Sequence, residues 1–143
     1  MKITWLLMLL IMACRPSSKI GELVGVPSTR TLEDTRWILK ELNGKSIEIS
    51  QQKAIYVQFN SADQTVTGFG GCNSLSGSFS KNGATIQSKL ASTRMFCEGK
   101  MDDESAFLKI LGQPGKYKVD KHMLLVETDK QQVAILHAED KIA

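Results

Sequence analysis

Residues 64–73 read "QTVTGFGGCN". The first half alternates polar and apolar residues, as a half-buried strand does. Three glycines (Gly68, Gly70 and Gly71) and Asn73 then crowd around Cys72. Glycine weakens a strand but lets backbones approach closely, and asparagine tolerates left-handed angles and bonds its own backbone. The stretch therefore reads as a strand that bends sharply beside a thiol. A nucleophile elbow, a metal knuckle and a disulfide corner all use such a bend.

On either side the chain is strand-like. "WILKEL" (37–42), "AIYVQF" (54–59) and "GSFS" (77–80) are short runs, separated by "NGKS", "NSADQ" and "KNGA", which carry turn residues. "KYKV", "HMLLVE" and "QVAILHAE" follow further on. This spacing predicts an antiparallel meander that curls into a curved sheet or cracked barrel, with one face packed and one wet. One segment departs from the period of two. "MDDESAFLKILGQPG" (101–115) places Ala106, Phe107, Ile110 and Leu111 at helical spacing. Asp102, Asp103 and Glu104 fall in its first turn, where carboxylates complement the helix dipole. Gly112 is a candidate left-handed stop and Pro114 prevents continuation. The fold class is mainly β (α+β): a small antiparallel sheet with one packed helix.

The start of the chain has a different character. "MKITWLLMLLIMAC" has Lys2, then an unbroken apolar run from Trp5 to Met12. As a helix that run rises about 12 Å, against roughly 30 Å for a membrane span, so it reads as a signal-peptide core. "IMAC" resembles a bacterial lipobox. That resemblance implies cleavage before Cys14 and a lipid on its sulfur, against an ordinary secretory signal with a nearby cysteine. Residues 1–13 are then the signal peptide and 14–34 a lipidated cysteine with a Pro-, Gly- and Ser-containing tether. Residues 35–143 form the domain. Within the tether, "GELVGV" is an alternative edge strand.

With Cys14 assigned to lipid, Cys72 and Cys97 remain, an even number in an oxidising compartment. A disulfide between them closes a loop of about 25 residues and stabilises the fold by roughly 3–4 kcal/mol. The competing reading is a reactive Cys97, with Arg94 and Lys100 nearby to lower its pKa. Lysine and arginine total 18 and the acids 15, interspersed, with only Lys2 in the leader. No basic stripe with interleaved aromatics appears, so nucleic acid is not an expected partner. No glycosidase carboxylate pair, HExxH, GxSxG or phosphate loop is present, so no enzyme is expected and no cofactor is assigned.

Four ordered blocks carry a family resemblance: "WILKELNG" (37–44), "VTGFGGCNSLSGSF" (66–79), "TRMFC" (93–97) and "MDDESAFLKIL" (101–111). Together they resemble the META domain family, which includes the heat-inducible HslJ proteins. The resemblance implies a small barrel-like sheet with a helix and brings no established catalytic residues. Its members are linked to envelope stress, antibiotic tolerance and, in some parasites, virulence. "ETDKQQ" departs from the family pattern, lacking the glycine often found at the last hairpin turn.

Two further expectations concern ligands. A cracked barrel, broadly similar to the lipoproteins that pilot secretion pores, could admit an acyl chain or other hydrophobe. Its cavity would be lined by Ile55, Val57, Phe59, Phe107 and Leu111; a core filled by those side chains removes that reading. If the last hairpin turns over Thr128–Gln131, Glu127 pairs with Gln132. His122 then faces His137, and Asp120 faces Glu139, a constellation able to hold zinc or copper; the competing reading is a solvated sheet edge. The expected whole is a monomeric, non-enzymatic lipoprotein on the outer membrane. It binds the membrane through its anchor and meets another envelope protein through the sheet or its loops. Arg15, rather than aspartate, after Cys14 supports the outer-membrane reading.

Overall fold

Alternation in period two builds the walls. In β3 (Tyr56–Phe59) Val57 and Phe59 are fully buried, while Tyr56 and Gln58 are half-exposed. In β4 (Thr65–Phe69) Val66 and Gly68 point in. The computed structural model describes residues 30–49 and 53–140. The leader, Cys14 and the tether up to residue 29, with its "GELVGV" segment, lie outside the described residues. No helix among those described is long and apolar enough to cross a membrane.

The remaining elements are β1 (Arg36–Leu42), β2 (Lys45–Ser46), β5 (Ser74–Asn82), β6 (Thr85–Ser92), α1 (Met101–Gly112), β7 (Gly115–Asp120), β8 (Met123–Thr128) and β9 (Val133–Ala138). Neighbours in the chain are neighbours in the sheet, all antiparallel, and the two-residue β2 pairs only with β1. The expected cracked sheet is in fact closed. β9 pairs back onto β1 from Trp37–Ala138 to Leu42–Ala134, so eight strands close into a barrel. Such closure joins the two ends of the domain, which short-range patterning does not report.

A bulge makes the closure fit. Leu39 pairs with Leu136 and Glu41 with Ile135, so Lys40 is an extra residue in β1. Without it Leu39 and Leu42, three apart, would face opposite sides; with it both are buried. The seam between β6 and β7 is narrow, only Thr85–Lys116 and Ile86–Gly115. Helix α1 sits in that connection, packs mainly on β6 and also touches β1, β8 and β9. Its Phe107, Ile110 and Leu111 enter the same core as Trp37, Phe59 and Leu124. Gly112 is the last helical residue rather than a left-handed stop. The helix ends because Gln113, before Pro114, is extended (φ −96°, ψ 153°).

The domain begins before Thr35. Leu32 is buried and its carbonyl accepts the Trp37 indole N–H at 2.9 Å. Glu33 bridges to Phe59. Asp34, in a left-handed conformation (φ 60°), accepts hydrogen bonds from the Ser61 hydroxyl (2.5 Å) and amide (3.1 Å). Those bonds, the hydroxyl's first, hold its carboxyl below the usual carboxylate range.

Candidate functional site

The bend in "GFGGCN" meets the start of the helix. Gly71 has φ +113°, a conformation that side chains rarely adopt, and the turn closes with Gly70 N–H donating to the Asn73 carbonyl at 2.8 Å. A Cβ on Gly70 would lie 2.6 Å from Cγ of Glu104, so the absent side chain is where Glu104 enters. Gly68 serves close approach: its Cβ would lie 2.4 Å from the Tyr56 carbonyl oxygen.

Glu104 is the residue that the sequence reading missed. It sits in the acidic first turn of α1 but faces inward, 2% exposed. Its Oε2 accepts the backbone N–H of Cys72 (3.0 Å) and of Asn73 (2.7 Å), and its Oε1 accepts Asn73 Nδ2 (2.5 Å). A buried carboxylate must be matched by donors, and here three converge on it. Among the described residues, only Asp103 of the triplet forms a surface pair, with Lys45 at 2.9 and 3.1 Å.

Asn73 passes the connection on. Its Oδ1 accepts the Met95 N–H (2.7 Å) and the Thr93 hydroxyl (2.9 Å), and its Nδ2 also reaches the Met95 carbonyl (3.1 Å). It does not take the left-handed angle expected of it; Gly71 does, leaving the asparagine side chain free to bridge. Cys72 and Cys97 form a disulfide with a Cα–Cα distance of 5.7 Å. One corner thus joins three segments, 70–73, 93–97 and the start of α1, by a covalent bond and a buried polar network.

The proposed cavity residues lie elsewhere. Val57, Phe59, Phe107 and Leu111 are packed in the filled interior of the barrel, which corrects the expected acyl-chain cavity. Eight strands leave an interior that side chains can fill. Ile55 alone faces open space. It lines an external cleft of about 420 Å³ with Lys45, Ile47, Glu48, Lys53 and Lys100. A second cleft of about 340 Å³ shares Lys53, Gly71 and Lys100 and runs along Phe69 and the disulfide.

The metal constellation does not assemble. The last hairpin turns through three residues, Asp129–Gln131, with Gln131 at φ 58° in the left-handed conformation that such a turn requires. Glu127 therefore pairs with Val133 rather than Gln132, and His137 faces Met123. His122 stands in the preceding turn, Asp120 pairs with Met123, and Glu139 holds Arg36 at 3.2 Å. No metal-holding group of three or more His, Cys, Asp or Glu occurs among the described residues.

Comparison with known proteins fits this geometry. A protein from Burkholderia xenovorans, solved by NMR, is 21% identical with a TM-score of 0.62, over 77% of this chain and 85% of that one. A second NMR structure is 23% identical with a TM-score of 0.60, over 73% and 89%. The crystal structure of a DUF4847 family protein from Bacteroides vulgatus is 15% identical with a TM-score of 0.58, over 78% and 96%. At these identities the likeness is one of fold. No curated protein matches the chain. The META domain model matches residues 30–140, which span the barrel from the buried Leu32 through the end of β9, and the chain therefore belongs to the META domain family.

Proposed function

We propose that this chain is a non-enzymatic, lipid-anchored envelope protein whose barrel works through its outer surface, as a binding module in protection against heat or antibiotic stress. The filled interior carries the reading: with Val57, Phe59 and Phe107 at zero exposure, a ligand or partner is met outside the barrel. The chemistry at the bend supports it as well. The Cys72 sulfur is bonded to Cys97, and both oxygens of Glu104 are spent on internal donors, which leaves neither poised for a substrate.

"IMAC" supports the anchor at Cys14, and Arg15 supports outer-membrane sorting. Acyl chains on Cys14 would hold the protein on the bilayer, and residues 15–29 would link it to the barrel. Palmitate labelling tests this directly. Label in the wild type that is lost in Cys14→Ala is expected; equal label in both, or none in either, contradicts the anchor. Survival of a deletion strain under heat and antibiotic challenge tests the protective role, with unchanged survival counting against it.

A further inference from the structure

We infer that the disulfide corner is a two-fold interface between two copies of this chain, each inserting Met95 and Phe96 into the other's external cleft. Phe96 is 81% exposed and Met95 59%, two adjacent large apolar side chains in water. Their loop is held firmly. The Met95 amide and carbonyl are both bonded to Asn73, Cys97 is in the disulfide, and the Lys100 N–H donates to the Cys97 carbonyl at 3.2 Å. A preformed loop meets little ordering cost on binding, which is how an interface anchor behaves.

The matching hollow lies beside the projection. Cys97, Gly99 and Lys100 form a wall of the paired clefts, whose floor is Ile47, Ile55 and Phe69. A two-fold contact requires one patch that complements itself, and a projection next to a hollow of suitable size provides that. The charges also suit exchange. Arg94 and Glu98 flank the projection, while Lys53, Lys100 and Glu48 flank the hollow. None of these five forms an ion pair among the described residues. Docking brings Glu98 toward the other copy's Lys53 and Lys100, and Arg94 toward its Glu48. An anionic bilayer would attract Arg94, Lys53 and Lys100 but would repel Glu98 and Glu48 and leave the hollow unfilled, whereas a second copy offers a partner for each sign of charge. The inference departs from the expected monomer and does not depend on the anchor.

A photo-crosslinking residue at position 96 of the full exported chain, illuminated in the envelope, tests it. The expected product has twice the monomer mass, joined to the segment around Ile47 and Ile55. The reciprocal probe at position 47 should capture residues 94–98, and Phe96→Glu should lower that capture about tenfold. Phe96 is exposed, so this variant should melt like the wild type. Adducts to lipid or to another protein, or no adduct at all from a protein that melts normally, overturn the inference.

Discussion

The barrel interior and the Glu104–Asn73 centre of the disulfide corner are both buried, yet they are held in different ways. Inside the barrel, Trp37, Phe59, Phe79 and Phe107 fill space by shape, with Phe59 and Phe79 meeting edge to face at 5.1 Å. At the corner, Glu104, Asn73 and Thr93 exchange directional hydrogen bonds, with Glu104 Oε2 and Asn73 Oδ1 each accepting two. Apolar contact is non-directional, so a core accepts a substitute of similar volume at modest cost. A buried polar network does not, because a lost partner leaves the others desolvated and unpaired.

Breaking the corner at its carboxylate should have the largest effect. Glu104→Ala strands three buried donors and should cost about 3–5 kcal/mol in denaturant unfolding. A volume-conserving core change such as Leu124→Met should cost under about 1.5 kcal/mol. Equal losses at the two sites would erase the distinction. Removing the disulfide by Cys72→Ala with Cys97→Ala should cost about 3–4 kcal/mol, largely through a less constrained unfolded chain. Because that term acts on the unfolded chain, the loss should add to that of Glu104→Ala, and a sum that falls short would show that the bond also holds the folded corner.

The wall of the barrel offers a change of opposite sign. Ser88 on β6 is 3% exposed, and its hydroxyl has no hydrogen-bond partner among the described residues. Ser88→Ala should leave stability unchanged or raise it by about 1 kcal/mol, read as a higher denaturation midpoint. The smallest effect lies at the surface. Asp34 titrates below its usual range because Ser61 bonds its charged form. Its contribution is present above the unfolded carboxylate pKa and is lost as pH falls through the lower folded value. In Ser61→Ala the Asp34 pKa should rise toward the ordinary value, as NMR titration would show, with a small loss of stability at neutral pH that vanishes once the pH falls below the folded pKa.

The parts legible in the sequence rest on local chemistry. Alternation marked β3 and β4, a short apolar run before turn residues marked β1, helical spacing marked α1, and the two cysteines left once Cys14 is read as lipidated marked the disulfide. The rest depended on what neighbours do. β6 escaped notice because Ser88 occupies a buried position where the pattern calls for an apolar residue. Glu104 was hidden by its place in an acidic first turn, where dipole complementation accounts for a carboxylate equally well. The last hairpin slipped by one residue because no glycine in "ETDKQQ" marks the left-handed position that Gln131 takes, and that slip dispersed the histidine pair. Of the cavity residues, Val57, Phe59, Phe107 and Leu111 do share the inward face, whereas Ile55 lines the external cleft. Whether that face encloses space or fills it is set by closure of β9 on β1.

Amide hydrogen exchange at Cys72 and Asn73 tests the central claim most directly. Both amides lie in a turn outside the strand ladders, where exchange is ordinarily fast. If Glu104 clamps the turn from within, both should exchange as slowly as the amides of β4 and β5, and both should become fast in Glu104→Ala. Rapid exchange at these two positions in the wild-type protein would contradict the account.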